Sequence, residues 1–143
     1  MAIKDDEVLD DAVVHFKCKN LEKALRKELN IPDRPIMRRD LKWVTNIHLG
    51  EMEITDLSGL ESMTQLTKLY LGINQISDIS VLEGMTQLTD LGLSYNQISD
   101  ISVLKDMTQL EYLWLEDNQI SDISALEGMT QLTELWLSDN QIS

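Results

Sequence analysis

Residues 110–131 read LEYLWLEDNQISDISALEGMTQ, and nearly the same 22 residues stand at 66–87 and at 88–109. The shared pattern is L-x-x-L-x-L-x-x-N-Q-I-S-D-I-S, followed by x-L-x-x-M-T-Q. A weaker copy occupies residues 44–65, and a partial fifth copy begins at Leu132. One such unit cannot bury its apolar face alone, so the repetition predicts a solenoid of stacked repeats with a continuous core.

The spacing of leucine and asparagine within each copy resembles that of the leucine-rich repeat, whose period is about 20–29 residues. The L-x-L alternation predicts a short strand whose intervening residues face outward. The resemblance implies an α/β solenoid, a right-handed superhelix with a parallel β ladder on its concave face. In residues 66–87 the predicted inward positions are Leu66, Leu69, Leu71, Ile76, Ile79, Leu82 and Met85.

Asparagine, aspartate and methionine also recur once per repeat. A buried asparagine amide is predicted to pair with backbone groups of the turns, and each aspartate is predicted to cap a short helical turn on the convex side. The aspartates lack the dense oxygen cluster of a calcium site, so no metal or cofactor is expected. The methionines are predicted to lie in the core. The columns are Asn74, Asn96, Asn118 and Asn140; Asp56, Asp78, Asp100 and Asp122; and Met63, Met85, Met107 and Met129.

Residues 1–43 differ in composition from residues 44–143, and we predict an N-terminal cap followed by four complete repeats and a partial fifth. Asn20 stands where a helix N-cap is expected, before apolar residues at helical spacing that end ahead of Pro32. The open end of a solenoid core needs such a cover.

Three finer features of the cap are predicted. The alternation at residues 14–18 is typical of a short strand, and residues 38–43 are expected to form a second short helix. Trp43 is predicted to plug the end of the core.

The cap and the repeats together resemble the internalin family of bacterial surface proteins, whose 22-residue repeats read LxxLxLxxNxIxDIxxLxxLTN. Residues 110–131 follow this pattern, with Met129 for the usual leucine and Gln131 for the usual asparagine. In the cap the resemblance rests on Phe16-x-x-x-Asn20-Leu21-Glu22-x-Ala24-Leu25, on Asp40-Leu41, and on ITDLSGLE at residues 54–61. The sequence departs at Cys18, where similar caps carry Asp, and at Met52, which replaces the ladder asparagine.

The resemblance implies a secreted or surface-attached protein that binds another protein, without naming a ligand. Two alternatives stay open. The start, MAIKDDE, lacks the apolar stretch of a signal peptide, which fits a cytoplasmic scaffold resembling the 22-residue-repeat regulatory subunits of protein phosphatases. A structural spacer within a surface protein is the other alternative. No apolar run is long enough to cross a membrane.

The net charge of the chain limits the classes of molecule that it can bind. The chain carries 12 basic and 25 acidic residues, and its net charge is −13. Residues 44–143 hold 2 basic residues, Lys68 and Lys105, against 16 acidic ones. This segment repels nucleic acid and anionic membranes. We therefore predict a partner protein with a basic or apolar patch, although a solvated acidic surface kept for solubility is the alternative.

The outward positions of the strands and of the turns after them hold five of the seven aromatic residues. Exposed aromatics are enriched at binding hot spots, although they could also cover the sheet by stacking, Trp114 on Trp136 for example. Gly92 is predicted to leave a notch between Tyr70 and Trp114 that admits one apolar or cationic side chain. The predicted ligand-binding residues are Tyr70, Gly92, Tyr95, Tyr112, Trp114, Glu116, Asp117, Glu134 and Trp136.

Catalysis finds no support in the sequence, and we predict that the protein is not an enzyme. His15 and His48 have no triad or metal partner at a recognisable spacing, and Cys18 is the only cysteine. Because the fifth repeat stops at Ser143 without a convex side, we expect a fragment with an unpaired strand edge near residues 134–137. Such an edge favours self-association.

Overall fold

The computed structural model describes residues 11–143 of the chain. Within this range two α-helices, α1 (Lys19–Leu29) and α2 (Arg38–Leu41), precede the repeats. One strand follows in each repeat, and the five strands form a parallel sheet in chain order. The strands are β1 (Asn46–His48), β2 (Lys68–Tyr70), β3 (Asp90–Gly92), β4 (Tyr112–Trp114) and β5 (Glu134–Trp136).

Strand pairing follows the repeat period without a shift. Ile47 pairs with Leu69, which pairs with Leu91, and the same step of 22 residues continues to Leu135. The opposite side of the repeats carries 3₁₀-helices instead of α-helices. These are Leu60–Ser62, Ser80–Leu82, Ser102–Asp106 and Ser124–Leu126. The predicted α/β solenoid with a parallel ladder is therefore confirmed.

The inward leucines, isoleucines and methionines form one continuous core. Leu69, Leu91 and Leu113 are fully buried at the middle of successive strands. The methionine column is buried as well, with Met63 at 0 % and Met129 at 6 % exposure, which confirms its predicted core position. The stacking of repeats, rather than any single repeat, thus removes the apolar surface from water.

Each ladder asparagine connects two neighbouring turns. The amide nitrogen of Asn96 donates to the carbonyl oxygens of Leu71 (3.1 Å) and Leu93 (3.0 Å), and its Oδ1 accepts the backbone N–H of Ile76 (3.0 Å). Asn118 repeats this arrangement one turn later. The predicted pairing of buried backbone groups is confirmed.

The aspartates begin the convex turns. The Oδ1 atom of Asp100 accepts the backbone N–H of Ser102, the first residue of its 3₁₀-helix, at 2.9 Å. The backbone N–H and then the hydroxyl of Ser102 lower the pKa of Asp100 below its ordinary value. Asp100 lies one residue before the N-cap, which is Ile101, so it closes an Asx turn and does not cap the helix itself.

The N-terminal helices bury apolar side chains in the same core as the repeats. Leu21 and Leu25 of α1 and Leu41 of α2 are fully buried in this cluster. The predicted second short helix is thus confirmed as α2, two residues shorter than expected. The boundary between an N-terminal cap of residues 1–43 and the repeats of residues 44–143 stays a prediction.

Three details of the cap differ from the sequence-based expectation. Helix α1 begins at Lys19 after Cys18, so Asn20 is not the N-cap; its amide donates instead to the carbonyl oxygen of Glu53 at 3.0 Å. Residues 14–18 form no strand, and only an isolated antiparallel bridge joins Val13 to Met37. Trp43 is 70 % exposed and does not plug the core.

Strand β5 is the outer strand of the sheet, and Leu135 in its middle is 39 % exposed, whereas Leu113 of β4 is fully buried. Self-association through this edge stays a prediction. Among residues 11–143, no helix has the length and apolar character required to cross a lipid bilayer.

Candidate functional site

The outward side chains of the five strands, together with the two turn positions after each strand, form a surface that we call the sheet face. Four columns of residues run across it, one residue from each repeat. They are Asn46, Lys68, Asp90, Tyr112 and Glu134; His48, Tyr70, Gly92, Trp114 and Trp136; Gly50, Gly72, Ser94, Glu116 and Ser138; and Glu51, Ile73, Tyr95, Asp117 and Asp139. All nine predicted ligand-binding residues lie on this face.

Ring contacts connect the strands of the sheet face. His48 stacks on Tyr70 with ring centroids 4.3 Å apart, and Tyr112 stacks on Trp114 at 5.9 Å. Tyr70 and Trp114 lie 6.1 Å apart with their planes tilted by 39°. Trp136 of β5 is 51 % exposed and Tyr112 is 36 % exposed. Ring contacts thus hold four of these rings against one another, and part of the ring surface of Tyr112 and Trp136 stays in water.

The predicted notch at Gly92 is closed. Gly92 is buried, and a Cβ atom added there would lie 3.3 Å from Cδ1 of Tyr70 and 3.7 Å from Cε3 of Trp114. Because Gly92 has no side chain to separate them, the two rings lean together over its backbone and gain dispersion contact. The stacking partner of Trp114 is Tyr112 on its own strand, not Trp136 as the alternative expected.

Asp90 is a buried carboxylate on the sheet face that sequence reasoning did not select. Its Oδ2 accepts the hydroxyl of Tyr70 at 3.1 Å and lies 4.0 Å from Nζ of Lys68, and its Oδ1 accepts the hydroxyl of Thr89 at 2.9 Å. Burial, followed by this bond to Asp90, raises the pKa of the Tyr70 phenol. Lys68 lies opposite Asp90 on the neighbouring strand, and Tyr70 is the diagonal neighbour two residues along. This register was the available signal, because long side chains reach diagonal neighbours across a sheet.

The turns after the strands carry negative charge in the fourth and fifth repeats, at Glu116, Asp117 and Asp139. The hydroxyl of Ser94 donates to Oε1 of Glu116 at 2.6 Å, whereas Oε2 of Glu116 is buried without a hydrogen-bond partner in the described part of the chain. Nearby, the charge of Asp117 is the main cause that raises the pKa of the Tyr95 phenol. Glu134 lies half-buried on β5.

The fourth column has a left-handed backbone in every repeat. Ile73 has φ 57° and Tyr95 has φ 59°, although neither is glycine. A β-branched residue seldom adopts this conformation, yet the Ile73 side chain is 52 % exposed and Tyr95 is 53 % exposed. The turn thus holds two apolar side chains outward at some conformational cost.

Chemistry for catalysis or metal binding does not converge on this face. His48 stacks on Tyr70, and His15 lies in the cap. Among residues 11–143, no three His, Cys, Asp or Glu side chains are grouped so that they could hold a metal ion. The face offers instead partly exposed ring surface, the buried carboxylate of Asp90 and the partly buried side chain of Glu116.

Comparison with known proteins agrees with this architecture. A family model described as leucine-rich repeats in two copies matches residues 42–84, 86–128 and 108–143. A search of curated protein sequences found no significant match. Among solved structures, an internalin from Listeria monocytogenes is 26 % identical and superposes with a TM-score of 0.76 over 90 % of this chain and 45 % of its own.

Two further solved structures are similar. Internalin C2 from Listeria monocytogenes is 26 % identical with a TM-score of 0.69, over 90 % of this chain and 67 % of its own. A leucine-rich repeat protein from Leptospira interrogans, 23 % identical, shares the fold with a TM-score of 0.67 over 72 % of this chain and 27 % of its own. The chain spans less than half the length of the first of these internalins. The chain therefore belongs to the leucine-rich repeat family, and within that family it is similar to the internalins.

Proposed function

We propose that the protein is a non-catalytic recognition module that binds a partner protein through the sheet face. The repeats make it a protein-interaction module. One observation carries the choice of face, namely that Tyr112, Trp114 and Trp136 lie on adjacent strands with ring surface left in water. Rigid aromatic side chains contribute large contact area for little loss of conformational entropy, and they dominate many interfaces.

The negative charge of the repeats indicates which kind of partner surface can bind them. Residues 44–143 carry 16 acidic and 2 basic residues, and Glu116, Asp117 and Glu134 lie on the sheet face beside the rings. A partner with a basic or apolar patch is attracted to such a surface, whereas a phosphate backbone is repelled. Nucleic acid is therefore not the partner.

The similarity to internalins supports a secreted or cell-surface protein. The alternatives are a cytoplasmic scaffold similar to the leucine-rich repeat regulators of protein phosphatases, and a spacer within a surface protein. A spacer requires no apolar side chain in water on the sheet face, and the exposure of Trp136 and Tyr95 argues against it.

A photo-crosslinking amino acid placed at two positions tests the face. We expect benzoylphenylalanine at Tyr112 to capture a discrete partner from an extract containing it, because Tyr112 lies among the exposed rings. The same amino acid at Lys105, in the 3₁₀-helix Ser102–Asp106 on the opposite side of the repeats, should not capture it.

The captured species is identified by mass spectrometry, and an excess of unmodified chain should abolish the crosslink. A partner that crosslinks at Lys105 and not at Tyr112 would show that the convex side binds and that the proposal is wrong.

A further inference from the structure

An open groove of about 470 Å³ lies on the sheet face beside the first three repeats, away from the closed notch at Gly92. Its floor consists of Gly50, Gly72 and Ser94, the third-column residues of successive repeats. Two of these have no side chain and the third has a small one, so the groove follows from the sequence of this column. Sites for small groups commonly have volumes of about 300–1,000 Å³.

Aromatic and apolar side chains form the two walls of the groove. His48 and Tyr70 line one side, and their stacked rings are 4.3 Å apart. Ile73 and Tyr95 line the other side from the left-handed turns described above. The stacked wall of His48 and Tyr70 therefore keeps its shape before a ligand arrives, which lowers the entropic cost of binding.

The carboxylate of Glu116 lies just beyond the residues that line the groove, where it accepts the hydroxyl of the floor residue Ser94. Backbone hydrogen bonds continue the ladder across the third column, from Ile73 N–H to Ser94 O (2.9 Å) and from Tyr95 N–H to Glu116 O (2.9 Å). Glu116 is thus the next rung after the floor residue Ser94. An ionised carboxylate has about four acceptor sites, and Glu116 receives one hydrogen bond, from the Ser94 hydroxyl, while Oε2 has no partner in the described residues.

Negative charge surrounds this end of the groove. The charges of Asp117, Glu116 and Asp139 all raise the pKa of Tyr95, and Asp117 contributes most. Glu28 and Glu51 line the groove near its other end. A cationic group with an apolar stem matches both the apolar walls and the negative charge. A purely aliphatic side chain matches only the walls, and an anion matches neither.

We propose that the groove receives one arginine side chain of the partner protein, with the guanidinium on Glu116 and the methylene stem between Tyr70 and Ile73. This subsite rests on the proposed function of the sheet face. Arginine fits better than lysine because its planar guanidinium lies flat against an aromatic ring such as Tyr95.

The test uses a probe in place of the partner. N-acetyl-arginine amide is titrated into the ¹⁵N-labelled chain at about pH 7.5, where histidine is mostly neutral. We expect saturable shifts of the backbone amides of Gly72, Ser94 and Glu116, with a dissociation constant of about 1–10 mM. N-acetyl-citrulline amide has the same shape without the charge and should bind about tenfold more weakly.

Two variants locate the probe. Glu116→Gln keeps the shape of the side chain and should weaken binding about tenfold, because it removes the charge of the acceptor. Gly72→Leu should abolish binding by filling the floor. A Cβ at Gly72 would lie 3.5 Å from Ser94 O, an ordinary contact, so this variant is expected to fold. Glu127→Gln removes one negative charge from an exposed position next to the 3₁₀-helix Ser124–Leu126 and should leave binding unchanged.

Equal binding of the arginine and citrulline probes, or equal weakening by Glu116→Gln and Glu127→Gln, would overturn the subsite. Absence of saturable shifts up to about 50 mM probe would overturn it as well. The crosslink at Tyr112 is independent of this probe. If Tyr112 captures a partner and arginine does not bind, the subsite alone is wrong.

Discussion

A chain that begins at Val44 is expected to lose cooperative folding. The two helices before the repeats bury Leu21, Leu25 and Leu41 completely, in the same cluster as Leu49 and Ile54 of the first repeat. Removing residues 1–43 would uncover both sides of this contact. Full burial of one such side chain stabilises by about 1.5–3 kcal/mol, and a whole domain is stable by about 5–15 kcal/mol. The loss is therefore of the order of the total stability.

Thermal and urea denaturation followed by circular dichroism check this result. A pair of substitutions in the full chain controls for the truncation itself. Leu25→Ala should cost about 2–5 kcal/mol, whereas Lys23→Ala, at an exposed position of the same helix, should change stability by about 0.5 kcal/mol or less. A truncated chain that is soluble and unfolds at the same temperature would show that the cap does not cover the core.

Replacement of a ladder asparagine is expected to have the second large effect on stability. Asn96 is 8 % exposed, and Asn96→Ala would leave the N–H of Ile76 without its partner. The carbonyl oxygens of Leu71 and Leu93 would each lose one of two amide donors and keep the other, from Asn74 and Asn118. A buried group left unpaired costs about 1–3 kcal/mol, and a lost hydrogen bond about 0.5–1.5 kcal/mol. We therefore expect a loss of roughly 2–4 kcal/mol in the free energy of unfolding.

Asn140 is a matched control, because it makes the same bonds, to Leu115 O (2.8 Å) and Leu137 O (3.0 Å) and from Ile120 N–H (3.0 Å). Its site is only partly buried, so water can replace the lost partners. Asn140→Ala should cost clearly less than Asn96→Ala. If urea denaturation gives the same loss in the free energy of unfolding for both variants, burial does not determine how much a ladder asparagine stabilises the fold.

Repetition explains how much of the fold could be predicted. A position such as Leu69 is repeated at Leu91 and Leu113, so its inward direction follows from several copies at once, and all three are buried as expected. Trp43 occurs once, outside the repeats. Its apolar ring suggested a buried position at the end of the core. In the structure the ring is 70 % exposed, and Nζ of Lys42 lies 5.1 Å from its centroid.

The candidate site shows a different limit. The repeat columns predicted which positions face outward, and this prediction is correct for Tyr70, Gly92 and Trp114. They did not fix the directions of the rings, because a tyrosine or tryptophan side chain reaches across the spacing of about 4.8 Å between strands. The rings closed over Gly92, whereas the neighbouring column of Gly50, Gly72 and Ser94 left an open groove.

The central claim is that the sheet face binds a protein through its aromatic side chains. The most direct test is the dissociation constant of the crosslinked partner for the unmodified chain, for Trp114→Ala and for Trp43→Ala. Trp114 lies among the rings, whereas Trp43 is an exposed tryptophan of the cap outside the sheet face. Thermal denaturation of the same samples shows whether each variant stays folded.

We expect Trp114→Ala to weaken binding by about 2 kcal/mol or more, roughly 30-fold in the dissociation constant. Its cost in stability should be small, about 0.5–1.5 kcal/mol for the lost ring contacts. Trp43→Ala should leave the dissociation constant unchanged. If Trp114→Ala remains folded and binds the partner as tightly as the unmodified chain does, the aromatic side chains of the sheet face are not the binding site.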